Sequence, residues 1–467
     1  MNPGSAALTQ GPIARTLLTF ALPILFGNVL QSLNGSVNAI WVGKFLGEAA
    51  LTATGNSNTV MFLMLAGVFG VSMAATILIA QYLGAQRLEK ARRVVGTSAS
   101  FFTIIAIVVS AGGFLVANRL LAAMHTPADA LPYATAYLRI IFLAMPFLFL
   151  YTITMAVLRG AGDSRTPFVF LSISVALDIG LNPLFIFGLG PVPRLGIAGS
   201  ALATLIANAS TFLALLIHLY RRHHPLCIRR GEFALLRMDP AIVRTLIVKG
   251  TPMGLQMVVI STSAVAMISL VNRFGSETTA AYAAAFQLWS YIQMPAFAIG
   301  AAVSSMAAQN VGAHHWGRVA RIARAGVLFN FLVTGSVVAL ICIFNRHMLS
   351  LFLPTTGAAI AIAQHINYVA AWSFIFFGIS MVLFAVVRAT GAVTAPLLIL
   401  FVAMWLVRFP LAAAMLETWK ADAIWWSFPL SSGIAATLAV LYYKYGGWRS
   451  ARMTPQAGIP ETSVQLP

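Results

Sequence analysis

The chain has 467 residues, of which 60% are hydrophobic and 9% charged, and its mean hydropathy is +0.88. Soluble domains carry about 25% charged and 45–50% apolar residues, so a soluble enzyme, a disordered chain and a fibrous chain are all excluded. The net charge of +18 resembles a nucleic-acid signal until the charges are placed along the chain.

Apolar runs separated by short polar turns recur at 14–42, 50–83, 94–122, 131–158, 167–188, 196–220, 242–272, 279–310, 320–345, 357–387, 395–417 and 423–443. At about 20 residues per membrane span, each is long enough to cross. No alternating ten-residue pattern marks a barrel, and backbone groups in lipid must bond internally, so the spans are expected to be α-helices. The fold class is therefore an all-α membrane protein of twelve transmembrane helices. Of the loop cations, 21 fall on one side of these spans; only Lys44, Arg119, Arg194, Arg273, Arg346 and Lys420 fall on the other. Such an excess marks the cytoplasmic side. Both termini are expected inside a plasma (inner) membrane, and the positive charge is an orientation signal, not a nucleic-acid site. Residues 1–12 form a polar cytoplasmic tail without a basic n-region or clear cleavage site, so the first helix is expected to stay.

Cys227 and Cys342 have no second cysteine within motif distance, which rules out zinc and CxxC redox sites. The pairs His223-His224 and His314-His315 sit in loops without companion ligands and read as solvated. No phosphate-binding glycine loop followed by Lys and Ser/Thr occurs, so ATP is not the energy source within this chain. No cofactor or metal is implied. The polar stretch 223–239 reads as a linker between an N-terminal half, 13–222, and a C-terminal half, 240–446; the tail 447–467 reads as disordered.

The halves repeat. Gln81-Tyr82-Leu83-Gly84-Ala85 closes the second span and Gln309-Asn310-Val311-Gly312-Ala313 the eighth, at an offset of 228; Arg93 then falls on Arg321. Arg159-Gly160-Ala161-Gly162 through Pro167 follows the fourth span, and Arg388-Ala389-Thr390-Gly391 through Pro396 the tenth, at an offset of 229. Pro23 meets Pro252 at 229 as well. Six helices per copy bring both copies in from the same side, so the two six-helix lobes are related by a pseudo-twofold along the membrane normal. Two such bundles across a central cavity are a transporter architecture.

Among the eleven acidic residues, Asp178 alone lies deep in an apolar run; the others fall in loops, tails or span ends. A carboxylate at that depth is costly to keep charged, which suits a group that takes up a proton; the alternative is a structural partner for an arginine such as Arg139. Asn182, four residues on, shares its helix face, and Pro183 frees a carbonyl one turn earlier. Arg408 sits in the eleventh span, one residue from the symmetry mate of Asp178, and reads first as an anchor within its lobe. The 18 Met and 31 Phe read mainly as packing or lipid-facing residues. Trp425, Trp426 and Trp448 suit membrane interfaces.

The chain resembles the multidrug and toxic compound extrusion (MATE) family over about residues 13–445. The resemblance rests on Val37-Asn38 through Val42-Gly43, Gln81 through Ala85, Leu158 through Pro167, Asn182-Pro183 through Gly188, and Gly199 through Thr204. It implies two lobes in a V and antiport of a cytoplasmic organic solute against H⁺ or Na⁺. It further implies an ion site in the N-terminal lobe, of the DNA-damage-inducible (DinF-like) type, built from Asp178, Asn182, Asn38 and Thr204. Asn38 stands where that pattern has an acid, and spans seven, eight and ten carry no Asp or Glu within them, so H⁺ is expected over Na⁺. Gln31, Asn34, Gln256, Tyr282, Gln287, Tyr291, Gln293, Met294 and Arg408 are the expected cavity residues. The expected partners are small organic compounds, cationic and amphipathic, and membrane lipid, with the chain a monomer and not an enzyme. A lipid-linked saccharide flippase of the same superfamily, and a membrane-embedded transferase, are the competing readings; the lone deep acid argues against the latter.

Overall fold

The computed structural model describes residues 8–188, 193–229, 231–354 and 357–453. Among the described residues eleven helices are long and apolar enough to cross a membrane, and a bent pair makes a twelfth candidate span, so that twelve follow the apolar runs. They are α1 Ile13–Leu46, α2 Glu48–Gly84, α3 Leu88–Ala123, α4 Leu131–Ala161, α5 Arg165–Phe187 and α6 Ile197–Arg221, then α7 Pro240–Val271, α8 Ser276–Gly312 and α9 Trp316–Ile343. The tenth, α10, is broken: Ala358–Ala370 meets Ser373–Arg388 at a 44° bend. Next come α11, Thr394–Ala414, and α12, Asp422–Tyr445. Within α11 the stretch Val402–Arg408 is π-helical; it precedes Pro410, which supplies no N–H to the turn before it.

The helix ends follow local chemistry. Asp163 Oδ1 accepts the backbone N–H groups of Arg165 and Thr166, each at 3.0 Å, and so caps α5. Asp239 does the same for α7 through Ala241 and Ile242. The turns after α4 and α10 each need a left-handed residue, and glycine supplies it: Gly162 has φ +91° and Gly391 φ +104°.

The lobes meet at the end of the bundle that carries Arg87–Arg93 and Arg318–Arg324, here the basic end. The contact is reciprocal. Gln81 of α2 donates from Nε2 to the Ala389 carbonyl at the end of α10, at 2.6 Å. Its repeat mate Gln309 of α8 donates to the Gly160 carbonyl at the end of α4, at 3.0 Å. A methyl group on Gly84 would overlap the Gln309 carbonyl, and one on Gly312 would overlap the Gln81 carbonyl. Higher up, Gly70 of α2 packs on the backbone of Gly250 and Gly254 of α7. One apolar core runs through this junction, from Ala74–Ala80 of α2 to Ala302–Ala308 of α8 and Ala385–Val387 of α10. A separate core lies within the C-terminal lobe around Tyr282, Trp289 and Trp425.

Both leading segments cross to the opposite lobe. Ahead of α1, the carbonyls of Gln10 and Gly11 accept from Arg318 at 2.7 and 2.9 Å, and that of Leu8 accepts from Asn310 at 3.0 Å. Ahead of α7, the linker lies on the start of α3: Arg93 donates to the Ala234 carbonyl at 2.6 Å, Ser100 to that of Leu236 at 2.6 Å, and Arg92 pairs with Glu232. The Arg92 guanidinium, helped by the Arg229 N–H, holds the Glu232 carboxyl below the ordinary carboxylate range. This contact stabilises docking above the ordinary carboxylate value and is lost as pH falls through the lowered one.

The expectation of a disordered tail from residue 447 is corrected over its first part. Gly447–Ser450 forms a 3-10 turn in which Trp448 is buried. Trp448 stacks on Tyr443 at 5.2 Å and donates from Nε1 to the Tyr443 carbonyl at 2.7 Å, so its ring is drawn against α12. The rest of that expectation, 454–467, lies outside the described residues.

Candidate functional site

Asp178 sits mid-way along α5 and is 3% exposed. Three helices converge on it. Oδ2 accepts from Asn34 Nδ2 at 2.8 Å and Asn38 Nδ2 at 2.9 Å, both on α1. Oδ1 accepts from Thr204 Oγ1 of α6 at 3.0 Å and from Asn182 Nδ2 at 3.3 Å. Asn182 also donates to Asn38 Oδ1 at 3.0 Å, tying α5 to α1 a second time. Four donors on one carboxylate replace much of the water it loses. On α1 the two asparagines are four apart, one above the other on a single face, as Asp178 and Asn182 are on α5.

Asn34 thus stands on the carboxylate, where the sequence reading had placed it in the cavity. The signal was its spacing from Asn38. Two buried carbonyl oxygens beside the carboxylate, Asn34 Oδ1 and Asn182 Oδ1, have no hydrogen-bond partner among the described residues. Arg139 does not pair with Asp178; its guanidinium lies 5.3 Å above the Phe114 ring.

The remaining candidates are dispersed. Arg408 is buried in the C-terminal lobe, donating from Nε to Ser431 Oγ at 2.8 Å and lying 4.5 Å above the Phe428 ring. Gln256 is buried and accepts from Arg388 Nη1 at 2.7 Å. Tyr282 is buried and stacks on Trp425 at 5.8 Å. Gln287, Tyr291, Gln293 and Met294 lie half-buried along α8, and Gln31 is exposed on α1. Among the described residues no three His, Cys, Asp or Glu side chains gather as a metal cluster.

Comparison with known proteins matches the MatE family model twice, over residues 23–184 and 252–414, so the two matches start at the offset of the internal repeat. The probable multidrug resistance protein YoeA of Bacillus subtilis is 36% identical over 94% of this chain and 95% of its own. The multidrug export protein MepA of Staphylococcus aureus is 22% identical over 92% of this chain and 94% of its own. Among solved structures, an outward-facing MATE transporter superimposes with a TM-score of 0.87 at 20% identity, covering 95% of this chain and 98% of that one. A MOP superfamily transporter from Pyrococcus furiosus gives 0.86 at the same identity and coverage; these two likenesses carry the fold. Matched in both halves and along nearly its whole length, this chain belongs to the MatE family, whose members are transporters and not enzymes.

Proposed function

We propose that this chain is a multidrug efflux transporter of the plasma membrane that exports cationic, amphipathic organic compounds in exchange for H⁺. Asp178 is the coupling residue in this reading. The observation that carries it is the caged carboxylate: one acid, buried mid-way along α5, holding three helices through four donors. Protonation of Oδ1 turns one acceptor into a donor. Thr204 is the group able to respond, since its hydroxyl also reaches the Ser200 carbonyl at 3.3 Å. It then donates to Ser200 and accepts from Asp178, so the charge-assisted bond between α6 and the carboxylate becomes a weaker neutral one of reversed direction. The proton thus biases the packing of α5 against α6, and a ligand shifts an equilibrium only by such a differential contact.

A second reading has support of its own. The unpartnered Asn34 and Asn182 oxygens beside a carboxylate offer a cation three oxygen ligands, which favours Na⁺. Efflux from proteoliposomes decides between them. With an imposed pH gradient and no Na⁺, dye efflux should run at its full rate; with a Na⁺ gradient at equal pH it should fall to the rate of protein-free vesicles. The reverse result would establish Na⁺ and remove the proton reading.

The loop charges support placing the basic end in the cytoplasm, with both termini there. Cysteines at Phe233, which is 64% exposed, and at Lys420 test this in a background carrying Cys227→Ser and Cys342→Ser. In intact cells an impermeant maleimide should label the Lys420 position and spare the Phe233 position; labelling of the Phe233 position alone would reverse the orientation. The lobes 13–222 and 240–446 act as the two rigid halves in this proposal, and the transporter works as a monomer.

A further inference from the structure

A groove of about 660 Å³ runs between α1 and α5, lined by Arg15, Leu18, Leu22 and Phe26 on one wall and Arg165 and Phe168 on the other. The α1 residues fall at intervals of three and four, so they form one stripe of that helix. Leu18, Leu22 and Phe26 are 37%, 45% and 54% exposed, so the stripe faces outward from the bundle. From Arg15 to Phe26 the helix rises about 16 Å at 1.5 Å per residue, close to half the ~30 Å hydrocarbon thickness. The groove therefore has two guanidinium groups at its mouth and an apolar wall about one leaflet deep.

Neither guanidinium is neutralised: among the described residues the ion pairs involve Arg92 and His365. Asp163, the acid nearest Arg165 in the chain, is engaged in capping α5. We propose that the groove binds one anionic phospholipid from the leaflet at the basic end, with its phosphate on Arg15 and Arg165 and an acyl chain along Leu18, Leu22 and Phe26. A free anion would use the arginines and leave the apolar stripe uncovered. A zwitterionic lipid would cover the stripe and bring an ammonium group against two guanidiniums.

The lipid bridges two helices that matter for coupling. α1 carries Asn34 and Asn38; α5 carries Asp178 and Asn182. Pro23 lies within the stripe and interrupts the α1 hydrogen-bond ladder, so the clamp sits where α1 bends most easily. A bound lipid holds α1 against α5 and so favours the closed cage. The assignment to the cytoplasmic leaflet rests on the orientation proposed above; the binding itself does not.

The test is native mass spectrometry of the full chain in a neutral detergent, titrated separately with dioleoylphosphatidylglycerol, dioleoylphosphatidylcholine and glycerol 3-phosphate. Phosphatidylglycerol should bind tightest. At the usual contribution of a basic residue at a lipid surface, the Arg15→Gln/Arg165→Gln double variant should weaken it about thirtyfold, while Arg15→Lys/Arg165→Lys keeps most of the affinity. Leu22→Ser should weaken the lipid and leave phosphatidylcholine no tighter than before. Equal binding of the two lipids, binding of glycerol 3-phosphate as tight as that of phosphatidylglycerol, or an unchanged affinity in the Gln double variant would each overturn the proposal. A reversed result in the maleimide labelling would overturn the orientation, and with it only the choice of leaflet.

Discussion

Asp178→Asn should leave a folded transporter that binds substrate and no longer responds to pH. An amide keeps one acceptor, which can face Asn34 and Asn38, and turns its NH₂ toward Thr204, whose hydroxyl can accept while donating to Ser200. The cage is thereby satisfied in the arrangement that the protonated carboxyl would impose, and no buried donor is orphaned. Asp178→Ala differs: it strips the acceptor from Asn34 and Asn38, at about 1–3 kcal/mol for each donor left unpaired, and should lower the melting temperature as well. The measurement is substrate affinity at mildly acid and mildly alkaline pH, together with efflux under a pH gradient. In the parent protein the two affinities should differ within the range of about 5–150-fold that coupling of 1–3 kcal/mol gives. In Asp178→Asn they should coincide, with gradient-driven efflux at the level of empty vesicles. A variant that still pumps under a pH gradient alone would move the coupling residue elsewhere.

That Asp178 stands out from sequence follows from the cost of its surroundings. A carboxylate in an apolar helix is so unfavourable that its survival implies partners, and Asn182 was identifiable because four residues make one helical turn. The α1 contribution was only half legible. Asn34 and Asn38 form a pair by the same arithmetic, but which face of α1 meets α5 depends on the packing of Gly27 against Leu171 and of Trp41 against Phe187. These are contacts between helices far apart in the chain.

The fold was legible where composition alone decides it. Twelve apolar runs must become helices in lipid, and a repeat offset of 228–229 residues must give two like bundles. The break in α10 was not legible, since Ala370–Ser373 carries neither Gly nor Pro. Nor was the ordered start of the C-terminal segment, where one aromatic, Trp448, outweighs a polar composition. Arg408 shows the limit of symmetry as a guide. It occupies nearly the repeat position of Asp178, yet it bonds to Ser431 and the Phe428 ring, so the two lobes share a backbone plan and not a chemistry.

Gly84→Leu should stop transport without unfolding the protein, because of what its repeat mate does across the junction. Gly84 rests on the Gln309 carbonyl and Gly312 on the Gln81 carbonyl, and the same glutamines donate across to Ala389 and Gly160. A side chain that meets a movable neighbour costs about 1–3 kcal/mol. Here the neighbour is backbone in the facing helix, so relief requires α2 and α8 to separate and both glutamine bonds to break. An arrangement open at the basic end is untouched, so the variant should accumulate there. Helix propensity works the other way, since replacing glycine within a helix is favourable by up to about 1 kcal/mol. Gly67→Leu, on the same helix with open space around it, is the control and should transport normally. The readout is labelling of a cysteine at Ser305, which is 1% exposed in the closed junction. It should be modified slowly in the parent and in Gly67→Leu, and much faster from the basic end in Gly84→Leu, in step with the loss of efflux. Normal transport by Gly84→Leu would show that this reciprocal contact is not part of the working cycle.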